Sequence, residues 1–411
     1  MNLCFRPGVG THNKMTIKKI SYILIGILLA ISILKFFFVL PGRVGGERGV
    51  IVRVRIAHNA DSAIIASNGP CKLVDVVRGK ILDDKLDIHD GVTARAPRRG
   101  IALEGHLYEL DRIRIYPYRN KGIRVDNVVY RGNIEIIRNE ERMDIINRVD
   151  IEDYLKGVVP REMNSFWPFA ALKAQAIASR SFTVYETIRR KNREFDVTND
   201  TFSQVYGGRS AERWRTSGAV DATRGQVLAR DGVVFPAYFH SCCGGHTQDS
   251  SRVWGKRMAL LEGVKCRWCR WSPHFRWQAK IPTATILEGL KARGYDVDRI
   301  DDIKIGPRDD SGRVVSIRIR SWNRWLEIGG DDLRSAVGRK YLKSLNMNIK
   351  KYPRFYLFSG YGWGHGVGMC QWGALKLAFD RWGAEKILKF YYPNTEITRF
   401  DKVRRIFAGK V

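Results

Sequence analysis

Acidic side chains are the first shortage in this sequence: 42 Asp and Glu stand against 71 Lys and Arg, a formal net charge of +29. Such a bias draws a chain by long-range attraction to polyanions, whether nucleic acid, anionic lipid or an acidic polymer. A proteome that dresses its surfaces in Arg would give the same figure, because net charge speaks to association and solubility and not to chemistry. Low-complexity runs, internal repeats and a collagen-like period are also missing, which excludes disordered, repetitive and fibrous classes. With 44% hydrophobic residues and 27% charged, the composition is globular, and the length suits roughly two or three domains. No nucleic-acid-binding motif is recognisable, so a nucleic-acid partner is not expected.

A small-residue cleavage site of the A-x-A kind is missing after the apolar N-terminal run, which argues against a cleaved signal peptide. The run itself is long. Ile20 to Leu34 is broken only by Ser21, Gly26 and Ser32, and after Lys35 it resumes as Phe36 to Leu40 before Pro41-Gly42. About 21 residues can span a bilayer as a helix. Lys14, Lys18 and Lys19 precede it, as a cytoplasmic flank should, but Arg43 and Arg48 follow it, so charge orients it weakly. The expectation is an uncleaved signal-anchor: a single-pass cell-membrane protein with everything after about residue 45 outside the cytoplasm. Met15 is an alternative start.

The rest reads as α+β. Residues 46–140 carry strand-like alternation, as in Val52, Val54 and Ile56 against Arg53 and Arg55, with turns at Asn68-Gly69-Pro70 and Arg131-Gly132-Asn133. This predicts a small β-rich domain. Residues 141–411 mix helices and strands and are the expected catalytic domain. Ile151, Tyr154, Leu155 and Val158 fall at helical spacing, with Pro160 expected to end that helix. Pro168 opens a second helix rich in Ala, with Ser165 near its N-cap. Strands are expected in "GQVLARDGVVFPAYFHS" and "GRVVSIRIRSWNRWLEIGG", a short helix in "ATILEGLKARG", and another from Gln371 onward.

Two segments carry chemistry. Glu162 joins the first two helices amid Met163, Phe166 and Trp167, neighbours that would desolvate a carboxyl and keep it protonated as a general acid. Lys173 and Arg180, seven residues apart, share a helix face that would suit an anionic ligand. Spacing alone does not separate this from a Glu162 that caps a helix beside solvated basic residues. In the second segment His365 sits between Gly364 and Gly366, where a ligand can approach the backbone or the ring can brace a turn. That glycine-rich loop lacks the Lys-Ser/Thr ending of a nucleotide loop, which argues against nucleotide binding.

In order, "EDYLKGVVPREM", "WPFAALKAQAIASRSF", "QVYGG", "FHSCCGGHT" and "GYGWGHGVGMCQWGA" resemble the stage II sporulation protein D family, which includes LytB-type amidase enhancers. The resemblance covers roughly residues 145 to 400. It implies a lytic transglycosylase acting on peptidoglycan glycan strands stripped of their peptides, with Glu162 at the position of the family's catalytic glutamate. Lys173, Gln175, Arg180, Gln204, Tyr206, His365 and Gln371 match its supporting, substrate-binding positions. The competing reading within the family is a non-enzymatic wall-binding enhancer of an N-acetylmuramoyl-L-alanine amidase, which would then be a partner.

Some members of the family bind zinc through His and Cys just before "QVY". This chain has "REFDVTNDTFSQVY" there, with neither, so that site is missing. Six cysteines follow the apolar run: Cys71, Cys242, Cys243, Cys266, Cys269 and Cys370. Disulfides, in any of fifteen pairings, and free thiols are both open. Cys266-x-x-Cys269 also has zinc-ribbon spacing, and one or two of His240, Cys242, Cys243 and His246 would complete four ligands. The candidate set is His240, Cys243, Cys266 and Cys269, for a structural zinc; catalysis itself is expected to need no cofactor.

Overall fold

The computed structural model describes residues 49–118, 121–255, 258, 261–403 and 405–406. The expected anchor and both candidate starts lie outside them. Among the described residues no helix is long and apolar enough to cross a membrane.

The alternation in the first β segment becomes the strand Ile51–Ala60, in which Val52 and Val54 are fully buried while Arg53 and Arg55 reach towards solvent. It belongs to a seven-stranded sheet, ordered Val197–Thr198, Ile51–Ala60, Arg142–Asp150, Asn133–Asn139, Arg112–Pro117, Cys71–Asp75, Ile81–Leu86. A six-stranded sheet, from Val128–Tyr130 to His106–Tyr108, shares its core, with Ile65, Ala94 and Ile101 packed in one cluster with Val54, Ile113 and Ile145. Gly132 takes φ +75, and a Cβ there would lie 2.1 Å from the Arg148 carbonyl oxygen, so the turn before Asn133–Asn139 needs glycine.

The division expected at residue 140 falls in the turn joining Asn133–Asn139 to Arg142–Asp150. The sheet runs across it: Ile51–Ala60 pairs with Arg142–Asp150 on one side and with Val197–Thr198 on the other. Its core also takes in Tyr154, Leu155 and Val158 from the first helix. Residues 50–411 cluster as one unit.

That helix, α1 (Ile151–Glu162), starts at Asp150, whose carboxylate accepts the Glu152 N–H at 2.9 Å. Pro160 does not end it. The proline sits inside the last turn, and the helix runs two residues further to Glu162, closed by the Met163 N–H on the Val159 carbonyl at 2.9 Å. After a turn in which Asn164 bonds the Phe166 N–H, α2 (Phe169–Arg189) begins from Pro168; Ser165 does not cap it. Ala171, Ala174, Ala176 and Ala178 are fully buried all round α2, as in a helix covered on every side. Their small side chains let α1, α3 (Trp214–Asp221) and the strand Gln226–Arg230 pack closely on it.

A short helix, α4 (Ser250–Trp254), precedes an inserted module with its own core. The strands Arg276–Pro282, Phe355–Tyr361 and Met347–Lys351 form one sheet of this module, and Asp302–Ile305, Ser316–Ser321 and Arg324–Gly329 another. Helices α5 (Thr283–Lys291) and α6 (Gly330–Val337) pack on them through Ile286, Leu290 and Leu333. The chain then returns through the glycine-rich loop to α7 (Gln371–Phe379) and α8 (Ala384–Tyr391), which also pack on α2.

Candidate active site

Glu162 stands at the end of α1, half-buried, and its carboxylate accepts the Val205 backbone N–H at 3.0 Å. Burial pushes its pKa up from 4.5 to about 7, against the opposing pull of the Val205 N–H and the Gln371 amide, both of which stabilise the anion. The carbonyl end of α1 adds repulsion of the same sign as burial. The result is a carboxyl that is substantially protonated near neutrality yet still accessible.

Gln371, the first residue of α7, carries a short relay to this carboxyl. Its amide donates to the Gln175 carbonyl oxygen at 3.3 Å, and Gln175 in turn donates to the Ser179 hydroxyl at 3.0 Å. Gln175 is fully enclosed, so α2 and α7 meet behind the glutamate through paired amides. Trp167 and Trp372 pack edge to face beside them, 5.2 Å between ring centres.

The residues of the "QVY" motif divide the work. Gln204 is buried; its side-chain oxygen accepts from Thr183 at 3.0 Å and Tyr154 at 3.3 Å, and its amide donates to the Ser179 carbonyl. Tyr206 is buried against Tyr154 and Tyr130 and donates to Asn147 at 2.9 Å. Its ring lies so near α1 that a Cβ on Gly157 would come within 2.6 Å of it. These two side chains anchor an extended segment whose middle residue, Val205, aims its N–H at Glu162. Both anchors are enclosed.

Arg180 is likewise enclosed. It makes a two-pronged bond to Glu152 at 2.9 and 2.7 Å and donates to the Val220 and Gln226 carbonyls. Of the two residues expected to meet an anionic ligand, Lys173 is the one left partly open, and its ammonium lies 5.0 Å from the centre of the Phe169 ring. Among the described residues no carboxylate pairs with Lys173. The change of surroundings along α2 explains the difference: two turns on, the same face is covered by α1 and the strand Gln226–Arg230. Three aromatic rings stand exposed on the segments that bear the motifs: Phe166 in the turn after Glu162, Phe202 before Gln204, and Trp214 at the start of α3. The neighbour of Trp214, Arg215, bonds the Ser165 and Trp167 carbonyls.

His365 braces the glycine-rich loop. Its Nδ1 accepts the Val367 N–H at 3.1 Å, which leaves Nε2 to donate to the Phe239 carbonyl at 3.0 Å. Burial, followed by the charge of Arg334, pushes its pKa down to about 4, so it is neutral. The nearby strand pair Phe239–His240 and Met369–Cys370 leads directly into Gln371.

The thiols come together, but not in the expected set. Cys243, Cys266, Cys269 and Cys370 are all buried, with sulfurs within 4.8 Å of one another. His240 is not among them: its Nδ1 bonds the Val367 carbonyl and its Nε2 has no partner. Cys370 takes the place given to it. Sequence reasoning also missed Val205, which acts through a backbone group that no residue type announces, and Glu152, the partner of Arg180.

A family model described as stage II sporulation protein matches residues 139–229, and one described as a domain of unknown function (DUF8618) matches residues 261–368. The first match contains Glu162 and both of its flanking helices; the second contains the inserted module. An uncharacterised protein of Brachyspira hyodysenteriae is 31% identical over 370 residues, 88% of this chain and 96% of its own. The amidase enhancer of Bacillus subtilis is 29% identical over 293 residues, 60% of this chain and 40% of its own. Stage II sporulation protein D of Bacillus subtilis is 28% identical over 280 residues, 64% of this chain and 79% of its own.

Proposed function

Because this chain belongs to the stage II sporulation protein D family, we propose that it acts on the bacterial cell wall, as a lytic transglycosylase that cuts peptide-stripped glycan strands. The observation that carries this reading is the Glu162 carboxyl, raised to about 7 by burial and served by two donors that can hold its anion once formed. Most glycosidases need a second carboxylate to activate water or to attack. In a lytic cut the 6-hydroxyl of the muramic acid attacks its own anomeric carbon, so the nucleophile is already tethered and positioning replaces water activation. Glu162 gives its proton to the glycosidic oxygen as the bond to the anomeric carbon breaks. The resulting carboxylate then takes the proton of the 6-hydroxyl as the new carbon–oxygen bond closes the 1,6-anhydro ring. Each proton is accounted for, and one carboxyl suffices.

In this reading Phe166, Phe202 and Trp214 offer apolar faces to sugar rings, and Lys173 meets the lactyl carboxylates that loss of the stem peptides uncovers. Export, and attachment to the membrane through the apolar run at residues 20–40, belong to the same proposal. A second reading is favoured by the likeness to an amidase enhancer: the chain would bind glycan and stimulate a wall amidase without cutting.

The discriminating experiment digests amidase-stripped glycan strands with the wild-type chain and with Glu162→Gln, and reads the products by mass spectrometry. Ends in 1,6-anhydro-muramic acid from the wild type alone support the transglycosylase. Binding without cleavage by either protein overturns it in favour of the enhancer.

A further inference from the structure

Four sulfurs from three separate stretches of chain meet in the interior. Cys243 follows the strand Phe239–His240, Cys266 and Cys269 lie at the short turn Trp268–Trp271, and Cys370 caps the start of α7. Cys243 and Cys269 are 3.4 Å apart, and all four sulfurs lie within 4.8 Å of one another. Tetrahedral zinc with bonds of about 2.3 Å sets sulfurs roughly 3.8 Å apart, so a common central ion fits this spacing. Backbone N–H groups point at these sulfurs as they do at thiolates: Cys243 and Gly373 on Cys370, at 3.3 and 3.4 Å, and Gly245 on Cys243 at 3.4 Å. Gly373 is required here, because a Cβ would stand 2.9 Å from the Cys266 sulfur.

A second observation asks for negative charge at the same place. Arg313 is almost fully buried; among the described residues no carboxylate pairs with its guanidinium directly, and the charge of Asp309 reaches it only through the bridging Ser311 hydroxyl. The guanidinium donates to the Cys243 and His246 carbonyls and to Ser311, and its Nε has no partner. A buried guanidinium needs an anion close by. Zinc held by four thiolates carries a double negative charge and would add to what Asp309 supplies.

We propose that Cys243, Cys266, Cys269 and Cys370 hold one zinc ion, which closes the two stems of the inserted module and fixes the start of α7. The module, from Arg276 to Tyr361, leaves the chain after Cys269 and returns before Cys370. Since Gln371 follows Cys370, the ion also sets the amide that reaches Glu162; this last consequence rests on the catalytic reading of Glu162, whereas the metal site does not.

The test is zinc content of the full chain, purified without chelator and measured by mass spectrometry, beside Cys266→Ser, Cys370→Ser and Cys242→Ser. The expected result is about one zinc per wild-type chain and per Cys242→Ser chain, with a loss of about tenfold or more in the other two. Because a ligand variant can lose its metal by unfolding, the wild type is also stripped and refilled with cobalt(II), whose visible spectrum reports tetrahedral thiolate ligation directly. Zinc retained by Cys370→Ser, a cobalt spectrum without thiolate character, or a zinc-free wild type with disulfides among these four cysteines would each overturn the site. None of these measurements depends on wall cleavage.

Discussion

Burial lets the folded protein keep the Glu162 proton at pH values where an unfolded chain releases it, since the pKa rises from 4.5 to about 7. A raised folded-state value means that stability is complete below 4.5, declines as pH rises towards about 7, and stays at the lower level above it. At about 1.4 kcal/mol per unit the loss is at most about 3.5 kcal/mol, less whatever solvent screens at a half-buried group. Glu162→Gln has no proton to lose. It should therefore match the wild type in thermal unfolding near pH 4 and exceed it near pH 8. Its cutting of stripped strands should fall by about 10²–10⁴, while wild-type kcat/KM should decline above about pH 7 as the acid form disappears. Parallel stability profiles for the two proteins would mean that the carboxyl is not perturbed. The apolar sequence around Glu162 leads to the expectation of a raised pKa, although of the neighbours named Met163 is buried and Phe166 is exposed. The Val205 N–H and the Gln175–Gln371 amide pair are not legible in sequence, because both arise only when α2, α7 and the extended 204–206 segment close around one point.

Local sequence signals located α1, α2, α5 and α7, with the end of α1 set two residues early, but did not say what each turn of a helix would meet. Lys173 and Arg180 do share a face of α2; the first opens towards the Phe169 ring, while the second is locked onto Glu152. Arg180 thus clamps α2 to the first turn of α1, the helix that ends at Glu162. Arg180→Gln would strand a buried carboxylate, since Glu152 also accepts the Gly225 N–H and is itself enclosed. The expected cost is about 3–5 kcal/mol, measured by denaturant unfolding, and the loss of activity should track the loss of folded protein. A fully folded Arg180→Gln that only binds glycan less tightly would instead make Arg180 a ligand-facing residue. Pro160 makes the same point about elements: the rule that proline ends a helix is a statement about its interior, and in the last turn the helix can finish two residues later.

For the molecule as a whole, alternation and turn residues revealed a β-rich N-terminal half, yet not that its sheet borrows Arg142–Asp150 and Val197–Thr198 from the segment read as catalytic. Strand partners distant in sequence leave no local periodicity, so a boundary drawn where the local pattern changes falls within a continuous sheet. Net charge is the opposite case, fully legible as +29 but silent about place. Of the two basic residues expected to meet an anionic ligand, Arg180 is enclosed and Lys173 is not, and the rest of the excess acts through its summed field. That field is screened over about 8 Å at physiological ionic strength, so affinity for stripped, polyanionic strands should fall steeply as salt is raised. Lys173 acts at contact distance and confers choice. Lys173→Gln should weaken binding to stripped strands several-fold and leave binding to peptide-bearing wall nearly unchanged, because the uncovered lactyl carboxylates exist only on the former. Pull-down of the two proteins on intact and amidase-treated wall, at low and physiological salt, separates the two effects. Equal weakening on both walls would mean that Lys173 contributes only to the general field and that selection for stripped strands resides elsewhere.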